Sequence, residues 1–150
     1  MKTAIVTGGT RGIGAGVSQS LSNAGWSVIA ASASQAELDA FPPSERIETR
    51  LLDVTDGASV DALFSQIDRL DGLVNCAGVI RRNDEYDIDV FQQVIDVNLI
   101  GTMRCCLAAY PHLTKSSGAI VNMASMLSTF GGPIVPAYSA SKGGIAQLTK

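Results

Sequence analysis

Histidine is almost missing from this chain, with His112 as the single copy. That excludes a histidine metal centre, and His112 is expected to cap or solvate a helix end. Cysteine is also scarce. Cys76, Cys105 and Cys106 are odd in number and lack C-x-x-C spacing, so neither a disulfide framework nor a thiolate metal site is supported, and no metal is expected. Charge is thin at 17% of residues, with a net charge of −3. The 11 basic residues are scattered, and only Arg81 and Arg82 are neighbours. No stripe exists that would track phosphates, so nucleic-acid binding is set aside. No apolar run approaches the ~18 residues of a membrane span, and the N-terminus runs straight into Lys2–Gly9 without a signal-peptide pattern. The expectation is a cytoplasmic, reducing setting with no membrane partner.

What is present is apolar residue: 46% of 150. That length carries one domain able to bury roughly two thirds of its unfolded surface. Short apolar runs alternate with helix-period segments. Strands are predicted at Thr3–Thr7, Ser27–Ala31, Ile47–Val54, Gly72–Asn75 and Gly118–Met123. A first helix places Ile13, Val17 and Leu21 on one face and ends at Asn23-Ala24-Gly25. A second follows the N-cap pair Thr55-Asp56, with Val60, Leu63, Phe64 and Ile67 in helical register. Two more run around Val90–Ile95 and from Leu99 through Met103, Cys106 and Leu107 to Tyr110, and a last begins near Ala137. Alternating strands and helices imply parallel pairing through right-handed crossovers, hence an α/β fold with a doubly wound, Rossmann-like parallel sheet. No repeat or linker marks a second domain within 1–150.

The segment Thr7-Gly8-Gly9-Thr10-Arg11-Gly12-Ile13-Gly14 joins the first strand to the first helix. Glycines there permit a sharp turn and let a pyrophosphate approach the amides of a helix start. An ordinary glycine-rich turn is the alternative. The position after a buried strand and before an amphipathic helix favours dinucleotide binding at the carboxyl edge of the sheet. The spacing is T-G-x-x-x-G-x-G rather than G-x-G-x-x-G.

Together with Asn75-Cys76-Ala77-Gly78, Asn98, Ser125 and Tyr138-x-x-x-Lys142, this loop resembles the short-chain dehydrogenase/reductase family over the whole chain, in order. The resemblance implies roles. Tyr138 exchanges a proton with the substrate oxygen, Ser125 orients that oxygen, and Lys142 assists the tyrosine and holds the nicotinamide ribose. Asn98 bends its helix and keeps a water for proton relay. Gly8, Thr10, Arg11, Gly12, Ile13, Gly14, Asp53, Val54, Asn75, Ala77 and Gly78, with Tyr138 and Lys142, bind or support the cofactor. The chemistry agrees: a free phenol, pKa near ~10, is a poor acid–base group at neutral pH, and an ammonium one helical turn away favours its ionised form. Cys76 stands where the family usually has a second asparagine, and is read as a small buried residue.

An NAD site usually places a carboxylate after the second strand, yet Ala30–Ser34 holds no acid and no base. Arg11 either meets a 2′-phosphate or is a solvated loop residue. NADP(H) is therefore expected over NAD(H). Ala77–Asp84 and Ala124–Gly144 look most like the gluconate and ketodeoxygluconate dehydrogenases, although acyl-carrier-protein ketoreductases share most of these features. Arg81-Arg82 either clamp a substrate carboxylate or form a solvated pair.

Family members run to roughly 250 residues, suited to a single doubly wound domain. The resemblance therefore implies that a C-terminal part, with two more strands, is missing after the fifth strand and the start of the catalytic helix. On that reading Ala119–Met123 is an apolar, unpaired edge, and Ile145 and Leu148 lack partners. Two functions stay open: an NAD(P)-dependent oxidoreductase acting on a small secondary alcohol or ketone, plausibly a sugar acid, and a dinucleotide-binding module without turnover. The face through Met103, Cys106, Leu107 and Tyr110 is compatible with a homo-oligomer, dimer or tetramer, and equally with core burial.

Overall fold

β1 (Thr3–Thr7) and β4 (Gly72–Asn75) lie side by side and parallel at the centre of a five-stranded sheet. β2 (Ser27–Ser32) and β3 (Ile47–Leu51) extend it on one side, and β5 (Ala119–Asn122) on the other, giving the order β3-β2-β1-β4-β5. The computed structural model describes all 150 residues. Every pairing is parallel, so each connection is a crossover, and the helices lie on the two faces. These are α1 (Gly12–Asn23), α2 (Gln35–Ala40), α3 (Gly57–Phe64), α4 (Ile88–Ile95), α5 (Gly101–Ser116) and α6 (Pro136–Leu148).

The central strands are apolar on both sides because both faces are covered. Ile5 of β1 belongs to the larger core, with Ile29, Leu73, Phe64 of α3 and Cys105, Ala109 and Leu113 of α5. Its neighbour Val6 points the other way, into a smaller core with Val28, Ala30 and Ile47, against which Val17 and Leu21 of α1 pack. The order in which strands are added to the sheet reverses between β1 and β4, which opens a crevice at their carboxyl ends, Thr7 and Asn75. The Ala77 amide donates to Thr7 Oγ1 at 3.1 Å and keeps the two ends together.

Several expectations change. β3 pairs only as far as Leu51; at Asp53 the chain turns out of the sheet, where the carboxylate accepts from the Thr55 amide and hydroxyl. α2 has no counterpart in the sequence reading. In α1 the innermost residues are Gly14, Ser18 and Ser22, while Ile13 is 69% exposed. Ile145 is buried inside the packing of α6, not left without partners, whereas Leu148 is 38% exposed. β5 stands last in the strand order, and its Val121 is 55% exposed on the sheet face. The long helix expected from Leu99 is α5 preceded by a π-turn over Asp96–Ile100. No helix is long and apolar enough to cross a membrane.

Candidate active site

The crevice holds about 570 Å³ and runs from the glycine loop to the start of α6. Gly8, Arg11, Gly12, Ile13, Gly14, Asp53, Val54, Ala77, Gly78, Tyr138 and Lys142 line it. Thr10, Asn75, Asn98 and Ser125 do not; each has a place just outside.

At one end, α1 is an unguarded helix start. Arg11 at its N-cap makes no side-chain cap, and no acidic residue stands in its first turn. Its first amides are therefore free for an anionic ligand. Gly12 sits at φ 52° with open space where a Cβ would project, while a Cβ on Gly14 would lie 2.0 Å from the Gly8 carbonyl oxygen. This cradle fits a dinucleotide pyrophosphate: backbone alone, open on the ligand side and packed shut behind.

Beside it stands Glu37, absent from the sequence reading. Its carboxylate accepts from Ser32 Oγ at 2.7 Å and Thr10 Oγ1 at 3.2 Å, and pairs with Arg11 at 3.3 Å. The Ser32 hydroxyl above all, with Arg11 and Thr10, holds it below the usual carboxylate range against the opposing effect of burial. Glu37 lies on α2, beyond the strand end where an acid was sought, yet it lines the crevice. Its signal was the N-cap pattern Ser34-x-x-Glu37: Ser34 Oγ accepts from the Glu37 amide at 3.4 Å.

At the other end, α6 presents Tyr138 and Lys142 one turn apart. Lys142 is buried; its ammonium donates to the Met123 carbonyl at 2.6 Å and lies 5.5 Å from the centre of the Tyr138 ring. Burial pulls the Lys142 pKa down, and Cys76 nearby opposes that. Ser125 follows β5 and opens a single 3-10 turn, its oxygen accepting from the Leu127 amide at 3.1 Å. The hydroxyl proton remains to be donated. Ser128 Oγ accepts from the Ser125 amide and donates to the Lys142 carbonyl at 2.7 Å, tying the serine turn to α6.

Asn98 is fully buried in the π-turn, and its side chain bridges elements. Its Oδ1 accepts from the Val79 amide at 2.7 Å, and its Nδ2 donates to the Val79 carbonyl and to Ser141 Oγ. A π-turn interrupts the helix at Asn98, where a bend was expected. Both ends of the side chain are committed to Val79 and Ser141, and its carbonyl accepts from Thr102. Asn75 turns away from the crevice toward Cys106 and Asn122, leaving its Oδ1 buried without a partner. It ties β4 to β5 and α5. Cys76 lines the crevice half-buried, and burial pushes its thiol pKa up, as expected of a packing residue. Cys105 is pushed up to about 12 by burial. No group of side chains is arranged to hold a metal ion.

The second residue that sequence reasoning missed is Glu85. It is 1% exposed and accepts from the Tyr138 amide at 2.8 Å and the Arg81 amide at 2.8 Å.

A parallel sheet in this order, with a glycine cradle and a serine, tyrosine and lysine gathered at one edge, defines a dinucleotide-binding α/β protein of the dehydrogenase type. The chain belongs to the short chain dehydrogenases, whose family pattern matches residues 2–150. It is 37% identical to the 2-dehydro-3-deoxy-D-gluconate 5-dehydrogenase of Bacillus subtilis (strain 168), over 99% of this chain and 63% of that protein. The fold superposes on a structure titled ribose-5-phosphate isomerase from Brucella melitensis 16M, with TM-score 0.91 and 34% identity, over 99% of this chain and 60% of that one. It superposes also on ligand-free aldohexose dehydrogenase from Thermoplasma acidophilum, with TM-score 0.89 and 28% identity, over 99% and 58%. The chain thus spans less than two thirds of the length of each.

Proposed function

We propose that residues 1–150 form the cofactor-binding and catalytic part of a nicotinamide-dependent oxidoreductase acting on a secondary alcohol or ketone of a sugar or sugar acid. The observation that carries this reading is Lys142: a buried ammonium, held by the Met123 carbonyl beside the Tyr138 ring, at the inner end of a crevice that begins at the glycine cradle. A module that only senses a dinucleotide has no use for that arrangement.

The cofactor, when bound, supplies or accepts the hydride. The protein positions and moves protons. The α1 amides and glycine loop hold the pyrophosphate, and Asp53 and Val54 flank the adenine side. Tyr138 donates a proton to the carbonyl oxygen in reduction and takes it back in oxidation. Ser125 donates a hydrogen bond to the same oxygen, and Lys142 favours the phenolate and binds the nicotinamide ribose. Asn98 holds the helix bend against Val79.

The substrate class draws on two supports. The three similar proteins all carry a sugar or sugar acid in their names, and Arg81 and Arg82 are exposed beside the site. The dehydrogenase reading is preferred to an isomerase because the whole chain matches the dehydrogenase family. The test is a panel of keto sugar acids and aldohexoses with NADH and NADPH; absorbance loss at the nicotinamide band supports the reading, and inertness toward all of them rejects it.

For the cofactor, the expectation of NADP(H) loses its premise, since Glu37 supplies the missing carboxylate and occupies Arg11. The reading adopted is a site that takes NAD(H) at least as well as NADP(H). Glu37→Gln releases Arg11 and removes a negative charge from the ribose side. One unit charge at 4 Å is worth about 1 kcal/mol in water, so the affinity ratio of NADP⁺ to NAD⁺ is expected to rise about fivefold. Fluorescence titration measures it; an unchanged ratio places Glu37 out of reach of the 2′ position.

Met103, Leu107 and Tyr110 project from α5 into solvent, 39%, 62% and 67% exposed, while Cys106 turns inward toward Asn75. We propose that this stripe packs against a second copy in a dimer or tetramer, which sedimentation velocity checks; a monomer at micromolar concentration rejects it.

A further inference from the structure

Glu85 is a buried carboxylate with no cation. It takes part in none of the ion pairs, and its two oxygens each accept one main-chain N–H, from Tyr138 and from Arg81. Withdrawing a charge from water on these terms is costly, and an apolar side chain of similar size would fill the space more cheaply. What only a carboxylate does here is accept from two separate segments at one fixed spacing.

Both segments belong to the site. Tyr138 is the third residue of α6, a helix whose N-cap, Val135, makes no side-chain cap and whose first residue, Pro136, has no N–H. Glu85 therefore caps the catalytic helix from a distant part of the chain, where a negative charge suits the helix dipole. Arg81 lies in the loop after β4, directly after Val79 and Ile80, which line the crevice. Two further bonds stitch the same loops: the Asn83 amide donates to the Ile134 carbonyl at 3.0 Å, and the Tyr86 hydroxyl donates to the Pro133 carbonyl at 2.5 Å. Asn83 sits at φ 71°, in the left-handed region, to make the first of these.

We propose that Glu85 is a positioning residue for the reaction: it locks the start of α6 to the β4–α4 loop, so that the Tyr138 phenol and the Arg81 segment keep one fixed relation. This rests on the reading of Tyr138 as the acid–base group. The carboxylate touches neither substrate nor cofactor; it acts through the Tyr138 and Arg81 amides. Reacting atoms displaced by an ångström lose about 100-fold in rate, so release of this clamp falls on turnover. The glycine cradle makes no hydrogen bond to Glu85, and Lys142 stays held by the Met123 carbonyl further along α6, so cofactor affinity changes little.

The experiment compares the unaltered protein with Glu85→Gln and Glu85→Ala by amide hydrogen exchange, NADH and NADPH titration, and steady-state kinetics on the keto sugar acid it reduces. Glutamine keeps one acceptor and serves as the variant that folds if alanine does not. Expected are faster exchange at Tyr138 and Arg81, unchanged exchange in β1 and β4, and cofactor Kd within twofold. Turnover falls about 10-fold in the glutamine variant and about 100-fold in the alanine variant. Unchanged kcat in both variants overturns the proposal. So does a fall in kcat that tracks weaker cofactor binding and faster exchange throughout the sheet, since that marks general destabilisation. An unaltered protein that binds cofactor but turns over no carbonyl compound defeats the acid–base reading itself, and is recognised before any variant is made.

Discussion

Tyr138→Phe is expected to lower turnover by about 10³-fold while cofactor dissociation constants stay within about threefold. The substitution removes one oxygen and its proton and leaves the ring. The contact that places the Lys142 ammonium 5.5 Å from the ring centre remains, as does the Met123 carbonyl that accepts from Lys142. The cap on α6 is also untouched, because Glu85 binds the Tyr138 main-chain amide and not its side chain. The change is thus confined to proton transfer, whose removal typically costs 10²–10⁴-fold. Single-turnover kinetics with NADH or NADPH and a keto sugar acid read the loss directly. Retained turnover would mean that the proton travels through another group. Ser125 is the neighbour to examine next, since its oxygen already accepts from Leu127 and its proton is free.

The fold was largely legible because its central strands, β1 and β2, are buried on both faces and so read as nearly unbroken apolar runs. Thr3–Thr7 and Gly72–Asn75 appear with the boundaries expected, and Asp56 caps α3 through the Ala58 amide. Errors arose where apolar pattern is a poor guide. α1 turns Gly14, Ser18 and Ser22 inward because the helix must approach the glycine loop closely; Ser18 Oγ donates to the Gly9 carbonyl at 3.0 Å. Period-four hydrophobics point to Ile13 instead, which the structure leaves in the crevice. α2 has only six residues, half of them polar, and is too short for a periodicity argument.

The candidate site divides in the same way. Residues whose role depends on local spacing, such as the glycines and the Tyr138–Lys142 pair, were readable because a helix fixes where the fourth residue falls. Asn75 belongs to the motif expected to bind or support the cofactor crevice; that its side chain faces Cys106 and Asn122 is a matter of direction around a strand end, which spacing does not encode. Glu85 was hidden for a different reason: its partner Tyr138 is 53 positions away, and only the folded chain brings the carboxylate to that amide. Glu37 lay between these cases, hidden by distance from the strand end but marked by its own helix cap.

Gly14→Ala is the substitution expected to do the most damage to the cradle. Its Cβ would stand 2.0 Å from the Gly8 carbonyl oxygen, 2.8 Å from the Gly8 carbonyl carbon and 3.1 Å from the Gly9 Cα. These are backbone atoms, so no side chain can swing aside. Gly8 has little room to retreat, since it holds φ 62° and a Cβ there would itself meet Ala77 backbone at 2.9 Å. The loop must distort or α1 must lift from the sheet, and overpacking of this kind costs about 1–3 kcal/mol. The same movement displaces the amides that would hold the pyrophosphate, so cofactor affinity is expected to fall by about 100-fold or more, in line with two lost or misaligned charge-assisted hydrogen bonds. Gly16→Ala in the same helix provides the contrast. Nothing lies within 4 Å of its added methyl, and helix propensity favours alanine over glycine by about 1 kcal/mol. Thermal melts with and without cofactor should therefore move in opposite directions for the two variants. Equal and small effects would show that the close approach of α1 to Gly8 is looser than the backbone geometry requires.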